Sequence, residues 1–497
     1  MALVETRSGK VEGTERDGVL VFRGIPYAAP PVGRLRWQAP QREASWPGTR
    51  DATAFSAQSA QTEFALTKLM GGAQPPCSED SLYLNVWTPA CDDARRPVMV
   101  WIHGGAFFWG AGDTPWYDGT KFALHGDVVV VTLNYRLGPF GFLHLDELFD
   151  GRFAGSGNAG ILDQIAALEW VRDCIGVFGG DPERVTVFGE SAGAGSVGTL
   201  LGTPRARGLF RGAIPQSGAA SWVSSPERAT RIAARVVERL GVAPGDAGAL
   251  LAAPTDAVLA AIPPWREDGV AQLPFQPVID GLLLDQPPLA AIAAGNAAGV
   301  HLLTGTNASE MTLFTVADPD MATLTDAGVR DRLHVAYGDA ADGLLASYRG
   351  SRDGISPAEL WQQVATDGVF RIPAVRLLEA QAAHAPEWSY WFTYETPVFG
   401  GILRSTHALE IPFVFDTLDR GGAEMLTGSG PGLRGISDAM HGAWIAFARG
   451  GDPNHPGLPE WPRYDLDRRA TMRFDTRCEL LDDPGRADRL AFDAAKL

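Results

Sequence analysis

The stretch that most constrains this chain is Val185-Thr186-Val187-Phe188-Gly189-Glu190-Ser191-Ala192-Gly193. Its first four residues are β-branched or aromatic, the composition of a buried strand. Gly-x-Ser-x-Gly follows, and Ala194-Gly195-Ser196-Val197-Gly198-Thr199-Leu200-Leu201 continues as a helix of small residues. A strand that turns sharply into a helix lifts the central serine onto a strained elbow at the end of a sheet. The flanking glycines let the two backbones approach each other. In a chain with 58 glycines the five-residue motif arises easily by chance. Strand before and helix after make Ser191 a candidate nucleophile rather than a turn serine.

The rest of the chain supplies a sheet to carry that elbow. Residues 97–102 and 128–135 are continuous apolar runs, as strands buried on both faces require. Helical apolar spacing over 159–178 leads through Gly179-Gly180-Asp181-Pro182 into the strand that bears Ser191. Further strands are expected at 82–87, 213–218 (with its exit loop), 300–307 and 388–394, with small antiparallel strands in 3–24 and a last edge strand at 470–474. Residues 226–265 and 321–385 read as helical, 439–449 as an amphipathic helix, and 56–79 as a surface loop. Strands alternating with helices predict an α/β fold with a large, mostly parallel sheet. No repeat or long linker interrupts it. We therefore expect one domain over 1–497, elaborated by helical insertions around 222–300 and 311–385.

Composition narrows the function. Apolar residues make up 45% and charged residues 20%, as in an ordinary globular protein, and the formal charge is −17. That charge, with no long basic run, disfavours nucleic acid and anionic membrane as partners. No signal peptide and no apolar stretch of membrane-spanning length is apparent. The four cysteines, Cys77, Cys91, Cys174 and Cys478, have no metal-site spacing and form no disulfide framework. The cytoplasm is the expected location.

A serine hydroxyl becomes a useful nucleophile when a histidine, itself held by a carboxylate, removes its proton. In sheet hydrolases the order is Ser, then Asp or Glu, then His, each on a loop after a strand. His407 lies in the loop after the 388–394 strand and is the best base. His301 falls within a strand, His334 and His384 in helical stretches, and His441 in a helix as a packing or surface residue. Glu310 follows the 300–304 strand in the right order, but Asp280 and Asp285 are rivals on spacing alone. The glycine loop His103-Gly104-Gly105-Ala106 ends the 97–102 strand. It can present bare N–H groups to a developing oxyanion, with the N–H of Ala192 as a second source.

Together these residues resemble the type B carboxylesterases of the α/β-hydrolase fold, which include bacterial para-nitrobenzyl esterases, animal carboxylesterases and cholinesterases. The matching stretches include Phe22-Arg23-Gly24-Ile25-Pro26-Tyr27-Ala28, Ser78-Glu79-Asp80-Ser81-Leu82-Tyr83-Leu84-Asn85, Gly157-Asn158-Ala159-Gly160-Ile161-Leu162-Asp163-Gln164 and Gly451-Asp452-Pro453-Asn454. The resemblance implies a triad of Ser191, Glu310 and His407 at the foot of a deep apolar gorge. It also implies an oxyanion hole from the N–H groups of Gly105, Ala106 and Ala192. It places Gly104, Glu190 and Ser217 beside the triad, and it implies no metal or cofactor. Two positions depart from the family. Met311 replaces the usual glycine after the acid, and Ser81 stands where secreted members carry a cysteine. Cys77 and Cys91 are expected to remain thiols.

Phe107, Phe108, Trp109, Met311, Phe314, Phe399 and Leu403 lie near the motifs and are candidate pocket walls, although aromatics fill cores just as readily. The expected activity is hydrolysis of small aryl or short-to-medium acyl esters by a monomer or weak homo-oligomer. A hydrolase dedicated to one aryl ester, carbamate or amide is the alternative. A catalytically silent binding module is a third reading, disfavoured by the intact triad.

Overall fold

The computed structural model describes residues 2–63, 75–263, 266–267, 270–271 and 273–497. The apolar runs form the middle of one 13-stranded sheet. Its main strands are β1 (Ala2–Thr6), β2 (Gly9–Arg16), β3 (Val19–Pro26), β4 (Tyr83–Thr88), β5 (Arg96–Ile102), β6 (Val129–Leu133), β7 (Gly180–Glu190), β8 (Gly212–Gln216), β9 (His301–Asn307), β10 (Glu387–Phe392), β11 (Ala470–Phe474) and β12 (Glu479–Asp482). They lie in the order β1-β2-β3-β4-β6-β5-β7-β8-β9-β10-β11-β12, and a short strand, Thr49–Asp51, pairs with β2. Every ladder from β6 to β11 is parallel. The ladders from β1 through β4 to β6 are antiparallel, as is the one to β12.

Alternate residues of the central strands feed two cores, which is why those strands carry no polar face. Val98, Val100, Val131 and Val187 pack on one side against α1 (Ala159–Cys174) and α2 (Ala192–Gly202). Met99, Trp101, Val130 and Phe188 pack on the other against Ala443, Trp444 and Phe447 of a C-terminal helix, Gly432–Gly450. Ser191 stands where β7 gives way to α2, between these layers.

The second insertion holds α3 (Pro357–Thr366), whose start is closed by a Ser356–Glu359 capping box, and α4 (Ile372–Gln381). A π turn, Asp367–Arg371, joins them. Pro373 lacks the N–H that a regular helix would send back four residues, so the chain widens just before it.

The edge strand, the 56–79 loop and the placement of His384 differ from expectation. The strand over 470–474 is not an edge, because β12 pairs outside it. The 56–79 loop contains two short parallel strands, Gln58–Ser59 and Cys77–Ser78, while residues 64–74 lie outside those described. Residues 264 and 265 of the expected 226–265 helical stretch also lie outside them. His384 sits in the turn after α4, its Nε2 2.9 Å from Ala293 O. His441 is buried within the C-terminal helix with Nδ1 2.8 Å from Val414 O, a packing role. Neither Cys77 nor Cys91 forms a disulfide. Ser81 is buried, and its Oγ accepts a hydrogen bond from Ser59 Oγ at 3.0 Å. No helix of the described residues is long and apolar enough to cross a membrane.

Candidate active site

Ser191 has φ 56° and ψ −123°, a conformation a non-glycine residue adopts only when its surroundings impose it. Close packing imposes it here. A methyl group on Gly189 would lie 2.5 Å from Ile102 O, and one on Gly193 would collide with the same oxygen. Ser191 N donates to Gln216 O at 2.9 Å, which ties the elbow to β8. Ser191 is 9% exposed, and its hydroxyl makes no hydrogen bond among the described residues.

The glycine loop after β5 runs against this elbow. A methyl on Gly104 would lie 2.9 Å from Glu190 Oε2 and 3.1 Å from Ser191 Cβ. Gly105, Ala106 and Phe107 all have positive φ, at 106°, 57° and 63°. The N–H groups of Phe108 and Trp109 turn back onto Gly105 O at 2.9 Å, whereas those of Gly105 and Ala106 are not used within the loop. Ala192 is the first residue of α2, so its N–H has no intrahelical acceptor. His103 anchors the loop, with Nδ1 2.8 Å from Gly104 O and its ring stacked 4.5 Å from Tyr135. Burial pushes the His103 pKa down to about 4, which keeps the anchor neutral.

β9 and β10 bring the acid and the histidine together. His407 Nδ1 donates to Glu310 Oε2 at 2.7 Å. The second oxygen, Glu310 Oε1, accepts the Asn307 N–H at 2.7 Å. Glu310 is fully buried. Asn307 Nδ2 bonds both Thr406 O and Glu410 Oε2 at 2.7 Å, locking the two loops together. Neither rival acid takes part. Asp280 Oδ1 accepts the N–H groups of Leu282, Leu283 and Leu284, and Asp285 is exposed.

The other imidazole nitrogen, His407 Nε2, lies 3.0 Å from Glu190 Oε1. Burial by itself pushes the His407 pKa down. The Glu190 charge, then the hydrogen bond and charge of Glu310 and the Glu410 charge, outweigh it and raise the value to about 9. Glu190 moves well above the usual carboxylate range, first through burial and then through its acidic neighbours Glu410 and Glu310. Burial and the neighbouring Glu310 lift Glu410 to about 6. Ser217, beside the elbow, has φ 51° and a buried hydroxyl without a hydrogen-bond partner.

The candidate walls separate into two groups. Phe314 stands 5.1 Å from the His407 ring and is 52% exposed, so it is a lining residue rather than core. Phe108 is buried against Phe275 at 5.0 Å and borders Trp109 at 5.6 Å. Phe107 is buried against Phe142 at 5.0 Å. Met311 N donates to Thr366 Oγ1 at 3.1 Å, and Leu403 is buried with its carbonyl accepting from Thr312 Oγ1 at 2.6 Å. Phe399 is 59% exposed and forms no ring pair with the site among the described residues. Sequence reasoning missed Phe370, whose ring is 4.8 Å from His407, and Trp222, 5.6 Å from Phe370. It also missed Glu410. Its spacing three residues after His407 on the same short turn was the available signal.

A parallel sheet covered by helices on both faces, with a strained serine between strand and helix and an acid–histidine pair beside it, defines an α/β-hydrolase. The sequence pattern of the carboxylesterase family matches residues 1–492. The chain is 41% identical over 491 residues to a para-nitrobenzyl esterase of Bacillus subtilis (strain 168), covering 97% of this chain and 96% of that protein. It is 35% identical over 501 residues to a phenmedipham hydrolase of Pseudarthrobacter oxydans, covering 98% of each. A carboxylesterase structure from Geobacillus stearothermophilus superposes with a TM-score of 0.90 at 43% identity, covering 98% of this chain and 99% of that one. The chain belongs to the carboxylesterase family and is a serine hydrolase of carboxylic esters.

Proposed function

We propose that Ser191 is the nucleophile, His407 the general base and Glu310 the acid that holds it. The 2.7 Å bond between His407 and Glu310, beside a strained Ser191 whose hydroxyl makes no hydrogen bond among the described residues, carries this reading. Ser191 attacks the ester carbonyl while His407 takes its proton. The N–H groups of Gly105, Ala106 and Ala192 receive the oxyanion. His407 returns the proton to the departing alcohol, and water then repeats the cycle to free the acid. His407 Nε2 has to exchange Glu190 for the Ser191 hydroxyl, a tightening expected when substrate fills the site. Glu190 and Ser217 orient groups beside the triad, and Gly104 keeps the loop against it.

Substrates on this reading are small esters with aryl or short-to-medium acyl groups, because Phe314, Phe370 and Trp222 give the site apolar walls. The match to a phenmedipham hydrolase favours a single-compound hydrolase as the second reading. One sheet running from β1 to β12 and a family match over 1–492 support treating residues 1–497 as one domain. Four thiols and a serine at position 81 favour a reducing compartment, and we place the enzyme in the cytoplasm as a monomer or weak homo-oligomer.

The test is turnover of para-nitrophenyl esters from acetate to decanoate, with Ser191→Ala as control. A clear chain-length optimum is expected. A flat profile counts against a defined acyl pocket, and no turnover at all moves the weight to the second reading.

The pH profile gives a separate check. Neutral imidazole is the active base and exists above the His407 pKa, so kcat/KM should rise as pH climbs towards about 9. Glu190→Gln removes the largest upward push, so the acidic limb should move to lower pH. A limb that stays put, or moves up, argues against Glu190 acting on His407.

A further inference from the structure

The π turn Asp367–Arg371 approaches His407 from the side of the second insertion. A π turn adds a residue to a helical turn and re-aims the side chains after it. The side chain re-aimed here is Phe370. Its ring lies 4.8 Å from the imidazole, stacks with Phe314 at 6.2 Å and meets Trp222 edge-on at 5.6 Å. Thr366, just before the turn, holds Met311 N beside the acid. One short segment therefore touches the neighbour of the acid and the face of the base.

The turn is clamped from its far side. Asp367 is fully buried, and its Oδ2 accepts the Tyr348 hydroxyl at 2.5 Å and Gln363 Nε2 at 3.5 Å. Its Oδ1 has no hydrogen bond and lies 3.7 Å from Arg371 Nη1. Tyr348 is covered by the Arg352 guanidinium at 4.7 Å. Arg352 in turn donates to both oxygens of Asp488, at 2.9 and 2.7 Å, on the helix Arg486–Ala494. A methyl at Gly368 would collide with the Tyr337 hydroxyl. Arg371 lies 4.8 Å over Trp391 and donates to Pro484 O.

Burying a carboxylate is costly, and a purely packing role would be better served by an apolar side chain. The clamp fixes one geometry instead. We infer that Asp367 and Tyr348 are positioning residues that hold the π turn so that Phe370 stays on the His407 imidazole and closes the acyl end of the pocket. This rests on the reading of His407 as the base.

The experiment is a double-mutant cycle of Tyr348→Phe and Phe370→Ala on the para-nitrophenyl ester series, with melting temperatures and a Ser191→Ala control. Tyr348→Phe should lower kcat roughly tenfold, since a small misplacement near a reacting group costs up to about a hundredfold. It should also move the chain-length optimum to longer esters, which a general loss of stability would not do. In the Phe370→Ala background it should add nothing further, because the two act through one ring. Asp367→Asn keeps an acceptor for Tyr348 and should retain most of the turnover, whereas Asp367→Ala should match Tyr348→Phe. If Tyr348→Phe fails to fold, the two Asp367 variants complete the same cycle. Equal losses in both backgrounds, or an unmoved optimum, overturn the inference while leaving the triad reading intact. Turnover surviving in Ser191→Ala would instead overturn the triad reading on which it rests.

Discussion

Ser191→Ala is expected to lower kcat by about 10⁴- to 10⁶-fold while leaving the melting temperature unchanged. The size follows from chemistry, since no other hydroxyl occupies the strained elbow between β7 and α2. The unchanged stability follows from structure. The Ser191 hydroxyl makes no hydrogen bond among the described residues, and the strain lies in a backbone that alanine inherits. Binding to the oxyanion donors survives the substitution, which leaves a residual rate above that of water. Steady-state turnover of a para-nitrophenyl ester, paired with a thermal melt, checks both halves. A folded variant that loses less than a hundredfold would place the nucleophile elsewhere.

The parts of this molecule that could be read from its sequence are those whose cause is local. Residues 97–102 had to be a strand buried on both faces because no position offers water a polar side chain. The elbow needed Gly189 and Gly193 because Ile102 O leaves no room for a Cβ at either. His407 stood out because a loop after a strand is where a base belongs. The acid was harder. Loop position and chain order favoured Glu310, but Asp280 and Asp285 stayed rivals on spacing, and the partners set the three apart. Asp280 spends its carboxylate on capping a turn, while Glu310 spends one oxygen on Asn307 N and the other on His407.

The π turn stayed hidden for a related reason. Residues 357–381 carry one helical pattern, and a single inserted residue barely disturbs it. Gly368 and Pro373 in that run were the visible warning. Phe370 reaches His407 and Trp222 backs Phe370 from a separate insertion, a juxtaposition made by packing and not by spacing. The Glu190–His407 contact is tertiary in the same way. Glu190 adjoins Ser191 in the chain, yet its carboxylate lies against a histidine 217 positions later, as the residue numbers give (407 − 190).

Glu310→Gln should cost about 10⁴-fold in kcat, although it changes one atom and keeps the shape. The direction of the effect is set by Asn307. Its N–H donates to Glu310 Oε1 at 2.7 Å, and a glutamine there would keep its carbonyl on that donor. The amide NH2 would then point at His407 Nδ1, where Oε2 now accepts at 2.7 Å. Nδ1 would have to become the acceptor, which moves the imidazole proton to Nε2. That nitrogen is the one that must take the proton from Ser191, so the variant holds the wrong tautomer. Glu410 cannot take over, because Asn307 Nδ2 and Gln216 Nε2 already hold its two oxygens, at 2.7 and 3.1 Å. The loss should fall on kcat, with KM for the same ester little changed, since no substrate contact is removed. Glu310→Asp, which keeps the charge but shortens the reach, should lose less. A glutamine variant within tenfold of the parent enzyme would mean that Glu310 only packs, and that another carboxylate orients His407.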